Sequence, residues 1–100
     1  MILVYITCKD KAEAKKISKD LLEKRLIACV NIHPIESMHW WKGKIREENE
    51  VVIIAKTVDK NYSEVKKEVK KIHSYSAPCI LKINAEANEE YDKWIEKEAQ

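Results

Sequence analysis

The sequence is poor in glycine and proline, with one Gly and two Pro among its 100 residues. A loop that cradles phosphate with its backbone amides needs several glycines, so no phosphate-binding loop of that kind is expected. The low Gly and Pro content, together with 36% charged residues, predicts short loops and a surface rich in ion pairs. Such a composition is typical of thermostable proteins.

The sequence also lacks any closely spaced pair of cysteines. Cys8, Cys29 and Cys79 are far apart and form no C-x-x-C motif. The spacing therefore indicates neither a zinc knuckle nor a thioredoxin-type redox pair. Each free cysteine is expected to pack as a small apolar residue.

Long apolar runs and an excess of one charge are missing as well. No run approaches the ~20 residues needed to cross a bilayer, and Met1–Lys11 lacks the basic opening and cleavage site of a secretory signal. The net charge is +2, and lysines alternate with glutamates, so no concentrated basic face is expected. We therefore expect a cytoplasmic protein without a membrane or nucleic-acid partner.

The segment Ala28–Thr57 is the most informative part of the chain. It holds two apolar runs that meet at Lys42-Gly43, a pattern that predicts a β-hairpin. A first arm over Ala28–Trp41 would span roughly 45 Å at about 3.3 Å per residue, whereas a compact domain of this size has a radius of gyration near ~13 Å. The hairpin should project beyond its own domain, and an exposed apolar ribbon needs a partner chain. The sequence therefore predicts an oligomer.

The whole chain, residues 1–100, predicts one domain with the order β-α-β-β-α-β followed by a C-terminal helix. The apolar run Ile2–Thr7 is typical of a buried strand, and the helices are expected to begin after the capping residues Asp10, Asp59 and Asn88. This order is that of an α+β, ferredoxin-like fold, with a four-stranded antiparallel sheet and the two inner helices on one face. The other face of the sheet would need partner subunits.

Histidine and tryptophan supply the candidate functional residues. His73 ends the second predicted helix, where it is either a cap for terminal carbonyls or, with a thiol, a ligand for copper or zinc. His39 precedes Trp40 and Trp41, which as neighbours on a strand point to opposite faces. We expect these three residues at an interface between subunits, where aromatic anchors are common. No nucleophile–base pair is readable, so an enzyme is not expected.

Five segments resemble the CutA family, the divalent-cation tolerance proteins. They are LLEKRLIACVNI, WWKGKI, AKT at 55–57, IHSYSAP and YDKWI. The resemblance implies a ferredoxin-like subunit in a homotrimer, similar in architecture to the PII signalling proteins, with the long hairpins paired between subunits. It also implies a link to tolerance of divalent metals, copper above all, without an obligatory cofactor.

The resemblance carries over to a metal site only in part. Cys29 and His73 match family positions, which implies weak binding of copper or another divalent metal through them. Copper-binding members offer a further cysteine near the end of the first strand. In this chain that position is Ile6, and Cys8 lies two residues further on. Ser74 also replaces the proline that usually follows the histidine, so the copper site is incomplete.

Two other functions remain open beside metal tolerance. One is a PII-like signalling module that binds a small molecule in the cleft between subunits, with Lys56 and Tyr75 as candidate cleft residues. The other is a structural scaffold whose trimer presents itself to another protein.

Overall fold

A computed structural model describes residues 1–100 and confirms the predicted α+β, ferredoxin-like order. The helices are α1 (Lys11–Glu23), α2 (Tyr62–Ile72) and α3 (Glu89–Glu98). The strands are β1 (Ile2–Cys8), β2 (Cys29–Trp41), β3 (Lys44–Thr57) and β4 (Ile80–Asn84). They form one antiparallel sheet in the order β2-β3-β1-β4, so β2 and β4 are its edges.

The predicted cap positions of α1 and α3 are confirmed, and that of α2 is wrong. The carboxylate of Asp10 accepts a hydrogen bond from the backbone N–H of Glu13 at 2.8 Å. Asp59 lies in a short 3-10 turn before α2, and its carboxylate accepts instead from Lys82 at 2.8 Å. Asn88 does precede α3, but it makes no capping bond to the helix backbone. The carboxylate of Asp59 is thus bound to the ammonium of Lys82 instead of to the backbone N–H groups of α2.

The main core lies between the sheet and helices α1 and α2. Alternate residues of β1 and β3 point into this layer, as the strand period of two requires. They meet one apolar stripe from each helix, and each buried aliphatic side chain stabilises the fold by about 1.5–3 kcal/mol. The core includes Ile2, Val4, Ile6, Ile53, Ala55, Ala14, Ile17, Leu21, Val65 and Val69.

Helix α3 packs against the second face of the sheet. Its Tyr91 contacts Cys29 and Lys56, which alternate along β2 and β3 with residues of the main core. Ile95 of α3 is fully buried. Helix α3 therefore covers the end of the sheet where β2 begins and β3 ends, and it leaves the hairpin uncovered.

The hairpin between β2 and β3 closes with a two-residue turn. Lys42 and Gly43 both have positive φ, 50° and 77°, the conformation that a tight hairpin turn demands. The register is continuous to the turn, where Trp41 faces Lys44. The longest dimension of the molecule is 45 Å, so the projecting ribbon is confirmed. None of the helices is both long and apolar enough to span a bilayer.

Candidate functional site

Side chains from three elements meet at the end of β1. Cys8 is the last residue of β1, Glu13 lies in the first turn of α1, and His73 directly follows α2. The Sγ of Cys8, a carboxylate oxygen of Glu13 and a ring nitrogen of His73 lie within 4.8 Å of one another. We call these three residues the β1-end cluster.

Both ring nitrogens of His73 are hydrogen-bonded. Nε2 lies 2.8 Å from the carbonyl oxygen of Thr7, and because a carbonyl can only accept, Nε2 carries the proton. Nδ1 accepts from the backbone N–H of Tyr75 at 3.0 Å. The imidazole therefore ties the loop after α2 to β1 and does not cap the terminal carbonyls of its own helix.

The carboxylate of Glu13 bridges two loops. Oε1 accepts from the backbone N–H of Lys9 at 3.0 Å, and Oε2 accepts from the backbone N–H of Ser74 at 2.9 Å. With the Asp10 cap, the first bond completes a variant of the capping box. Burial alone would raise the pKa of Glu13, but the hydrogen bonds from Ser74 and Lys9 and the nearby His73 hold that pKa below its usual value.

The thiol of Cys8 is fully buried. Burial, and after it the negative charges of Glu13, Glu50 and Asp10, raise the pKa of Cys8 to about 12. The thiol is therefore protonated at neutral pH and is not a nucleophile.

A cleft of about 630 Å³ opens between the hairpin and the loop after α2. The ring of Tyr75 lies 4.8 Å from that of His73, and its hydroxyl donates to Glu50 at 2.7 Å. Arg46 and Glu48 form an ion pair of 2.6 Å beside the cleft. Tyr75 thus joins the β1-end cluster to the cleft. Other lining residues include Met38, His39, Trp41 and Cys79.

Cys29 lies in a separate group of side chains. Its Sγ is 3.2 Å from the hydroxyl of Tyr91, which also accepts from Nζ of Lys56 at 3.2 Å. The hydrogen bond to Tyr91 is the main reason that the pKa of Lys56 is raised. The ammonium also lies 5.2 Å from the centroid of the Tyr91 ring, a favourable cation–π geometry.

Within one chain the predicted site residues form two groups. Cys29 is beside Lys56, whereas Tyr75 and its neighbour His73 are beside Glu50. Glu50 and Lys56 are roughly 20 Å apart along β3 at ~3.3 Å per residue. One chain therefore does not bring Cys29 together with His73, or Lys56 together with Tyr75.

The two tryptophans of the hairpin are exposed in the single chain. Trp40 is 72% and Trp41 is 52% exposed. As neighbours on β2 they project from opposite faces, and Trp41, with His39, lines the cleft. Their role in an interface between subunits stays a prediction.

Comparison with known proteins decides the family. A family model, the CutA1 divalent ion tolerance protein, matches residues 2–98. The chain belongs to the CutA family. The divalent-cation tolerance protein CutA of Archaeoglobus fulgidus is 47% identical over 95 residues, which are 94% of this chain and 93% of that protein.

Solved CutA structures share the whole fold. A crystal structure of CutA from Pyrococcus horikoshii, obtained in 3 M guanidine hydrochloride, has a TM-score of 0.96 at 42% identity and covers 100% of both chains. The PII-like protein CutA from Nostoc sp. PCC 7120, in apo form, has a TM-score of 0.92 over 100% of this chain and 98% of that chain. At 24% identity, this second likeness concerns the fold alone.

Sequence reasoning missed several contacts of this CutA chain. It did not predict that Cys8 and Glu13 approach His73, or that Glu50 and Tyr91 bind the other predicted site residues. Two signals were available for the first group. Cys8 shares a strand face with Ile6, and Glu13 occupies the capping-box position of α1.

Proposed function

We propose that this chain is a homotrimeric, non-catalytic CutA protein that takes part in the tolerance of divalent metal ions and binds such ions weakly. The observation that carries the proposal is the match to the CutA1 divalent ion tolerance family over residues 2–98. A non-catalytic role for these two residues is supported by the protonated thiol of Cys8 and by the engaged nitrogens of His73, since neither is an activated nucleophile or a free base.

The surface of the single chain supports assembly. Strands β2 and β4 are the edges of the sheet, and an edge strand presents unpaired N–H and C=O groups with which another chain can pair. Large apolar side chains are exposed on the hairpin and on the second face of the sheet, and burying them would stabilise an oligomer. They are Met38, Trp40, Trp41, Ile45, Leu81 and Ile83.

His73 and Cys29 remain the residues that family resemblance offers as metal ligands. Imidazole nitrogen and thiol sulfur suit copper and zinc. Because Cys29 lies with Tyr91 and Lys56, these two ligands would not share an ion within one chain. We expect His73 to be the main ligand and the binding to be weak.

Two measurements test the proposal. Sedimentation equilibrium at low micromolar concentration should give three times the chain mass of 11.7 kDa. Isothermal titration of the metal-free protein with copper and with zinc should give weak binding that His73→Ala removes and that His33→Ala, a change at an exposed histidine, leaves in place. A monomer, or binding that is unchanged in His73→Ala, contradicts the proposal.

A second candidate is a PII-like module that binds a small molecule. It is favoured by the cleft beside Tyr75 and by the ammonium of Lys56, whose only polar side-chain contact is the hydroxyl of Tyr91. In a trimer the two groups of site residues could meet across subunits. Titration with inorganic phosphate and with a nucleoside triphosphate, in wild type and in Lys56→Met, distinguishes this candidate, which requires binding that depends on Lys56.

A further inference from the structure

We propose that the β1-end cluster, Cys8, Glu13 and His73, is a binding site for a borderline divalent cation such as Zn²⁺. The inference rests on the proposed function and names the ligands of the ion. The thiol that binds the ion together with His73 is that of Cys8 and not that of Cys29. Cys8 is the last residue of β1 and lies on the same buried face of that strand as Ile6.

The donor set suits such an ion. Zinc is commonly held by cysteine sulfur, histidine nitrogen and carboxylate oxygen at about 2.0–2.3 Å, and three protein ligands leave a fourth tetrahedral position open. Ligand atoms around such an ion are therefore about 3–4 Å apart. In the β1-end cluster the three donor atoms already lie within 4.8 Å of one another, so small side-chain movements bring them into contact with one ion.

The surroundings orient the three donors in advance. A metal-binding imidazole usually donates its other N–H to a carbonyl or carboxylate, and Nε2 of His73 donates to the carbonyl of Thr7 at 2.8 Å. Nδ1 accepts from the backbone N–H of Tyr75 at 3.0 Å, and in the proposed site the ion takes the place of that N–H. The carboxylate of Glu13 is fixed by Lys9 and Ser74, and each oxygen retains a lone pair.

Charge balance favours a divalent cation at this position. The cluster is buried, with Cys8 fully enclosed and Glu13 only 8% exposed, so charges introduced there must compensate one another. When the sulfur–metal bond forms, the thiol proton leaves to solvent, and the thiolate and the Glu13 carboxylate together balance the two positive charges. A buried charge is tolerated only with such compensation, and a bound metal ion reverses the local preference for the protonated thiol.

A variant that retains only one thiol provides the direct test. In Cys29→Ser/Cys79→Ser the buried Cys8 is untouched and is the sole remaining cysteine. Titration with Co²⁺, a spectroscopic probe for zinc sites, should produce the near-ultraviolet sulfur-to-cobalt charge-transfer band and the visible bands of tetrahedral cobalt. Their presence supports Cys8 as ligand. Their absence in the variant, when wild type shows them, rejects the cluster and assigns the ligand to Cys29 or Cys79.

A second variant tests the carboxylate. Glu13→Gln should weaken Zn²⁺ binding at least tenfold by calorimetry, whereas Glu23→Gln, an exposed change on the same helix, should not. Equal affinity in both variants rejects Glu13 as ligand. Wild type that binds no metal at all rejects the metal-binding part of the proposed function along with this site, whereas binding without thiolate spectra rejects the site alone.

Discussion

His73 and Thr7 are joined by a 2.8 Å hydrogen bond from Nε2 of the imidazole to the backbone carbonyl. This bond links the loop after α2 to β1, two elements that are distant in sequence. On the same ring, Nδ1 accepts from the backbone N–H of Tyr75. One side chain therefore holds the loop after α2 against the end of β1.

Replacement of His73 by alanine should therefore lower stability even without metal. The change removes two hydrogen bonds and leaves a partly buried carbonyl and N–H without partners, which costs about 2–4 kcal/mol in unfolding free energy. Guanidine unfolding of metal-free protein measures the loss. His33→Ala, at an exposed position of β2, is the control. Equal stability of the two variants would show that the bonds at His73 add nothing.

Acid sensitivity should depend on Glu13. Its folded pKa lies below the ordinary value of 4.5, so the ionised carboxylate contributes stability that is fully present above about pH 4.5 and is lost as pH falls through the folded pKa. Unfolding free energies measured between neutral pH and pH 3 should fall less steeply in Glu13→Gln than in wild type. Glu23→Gln should follow the wild-type slope, and a parallel slope for Glu13→Gln would contradict the assignment.

Ser18 offers a stabilising change. Its hydroxyl is buried on the inner side of α1 and has no hydrogen-bond partner. Ser18→Ala removes an unsatisfied polar group and introduces the best helix former, which together should add about 1 kcal/mol. Ser63→Ala, on the outer side of α2 where the residue is exposed, is the matched control. Lower thermal stability of Ser18→Ala would mean that the hydroxyl has a partner.

The fold could be predicted from the sequence because local patterns determine it. The alternation of apolar residues in β1, the spacing of Val65 and Val69 in α2, and the turn at Gly43 each report their own element. Each of these patterns involves residues that are close in sequence. Together they are sufficient to predict the order of strands and helices along the chain.

The site depends on contacts that no local pattern encodes. Glu13 accepts from Ser74 across 61 residues, and His73 reaches Thr7 across 66. Family resemblance implies that His73 and Cys29 act together. Their positions in the sequence do not show that Cys29 lies beside Lys56 whereas His73 lies near Glu50, at a different point along β3. For Cys8 the sequence predicts a packing role, because a single thiol in an apolar run is usually a core residue. Only the packed layers bring Cys8 beside the imidazole.

Trp41 tests whether folding and assembly are linked. The ring is 52% exposed in the single chain, so its truncation costs little unless a partner subunit covers it. If the hairpin is buried in a trimer, Trp41→Ala should lower stability by about 3 kcal/mol or more per site and should make the melting temperature more dependent on protein concentration. Leu22→Ala, a partly exposed apolar residue on α1, controls for surface truncation. Calorimetric melting with sedimentation of the same samples measures both effects.

An unchanged melting temperature with intact assembly would mean that the Trp41 ring remains in solvent and that other residues hold the subunits together.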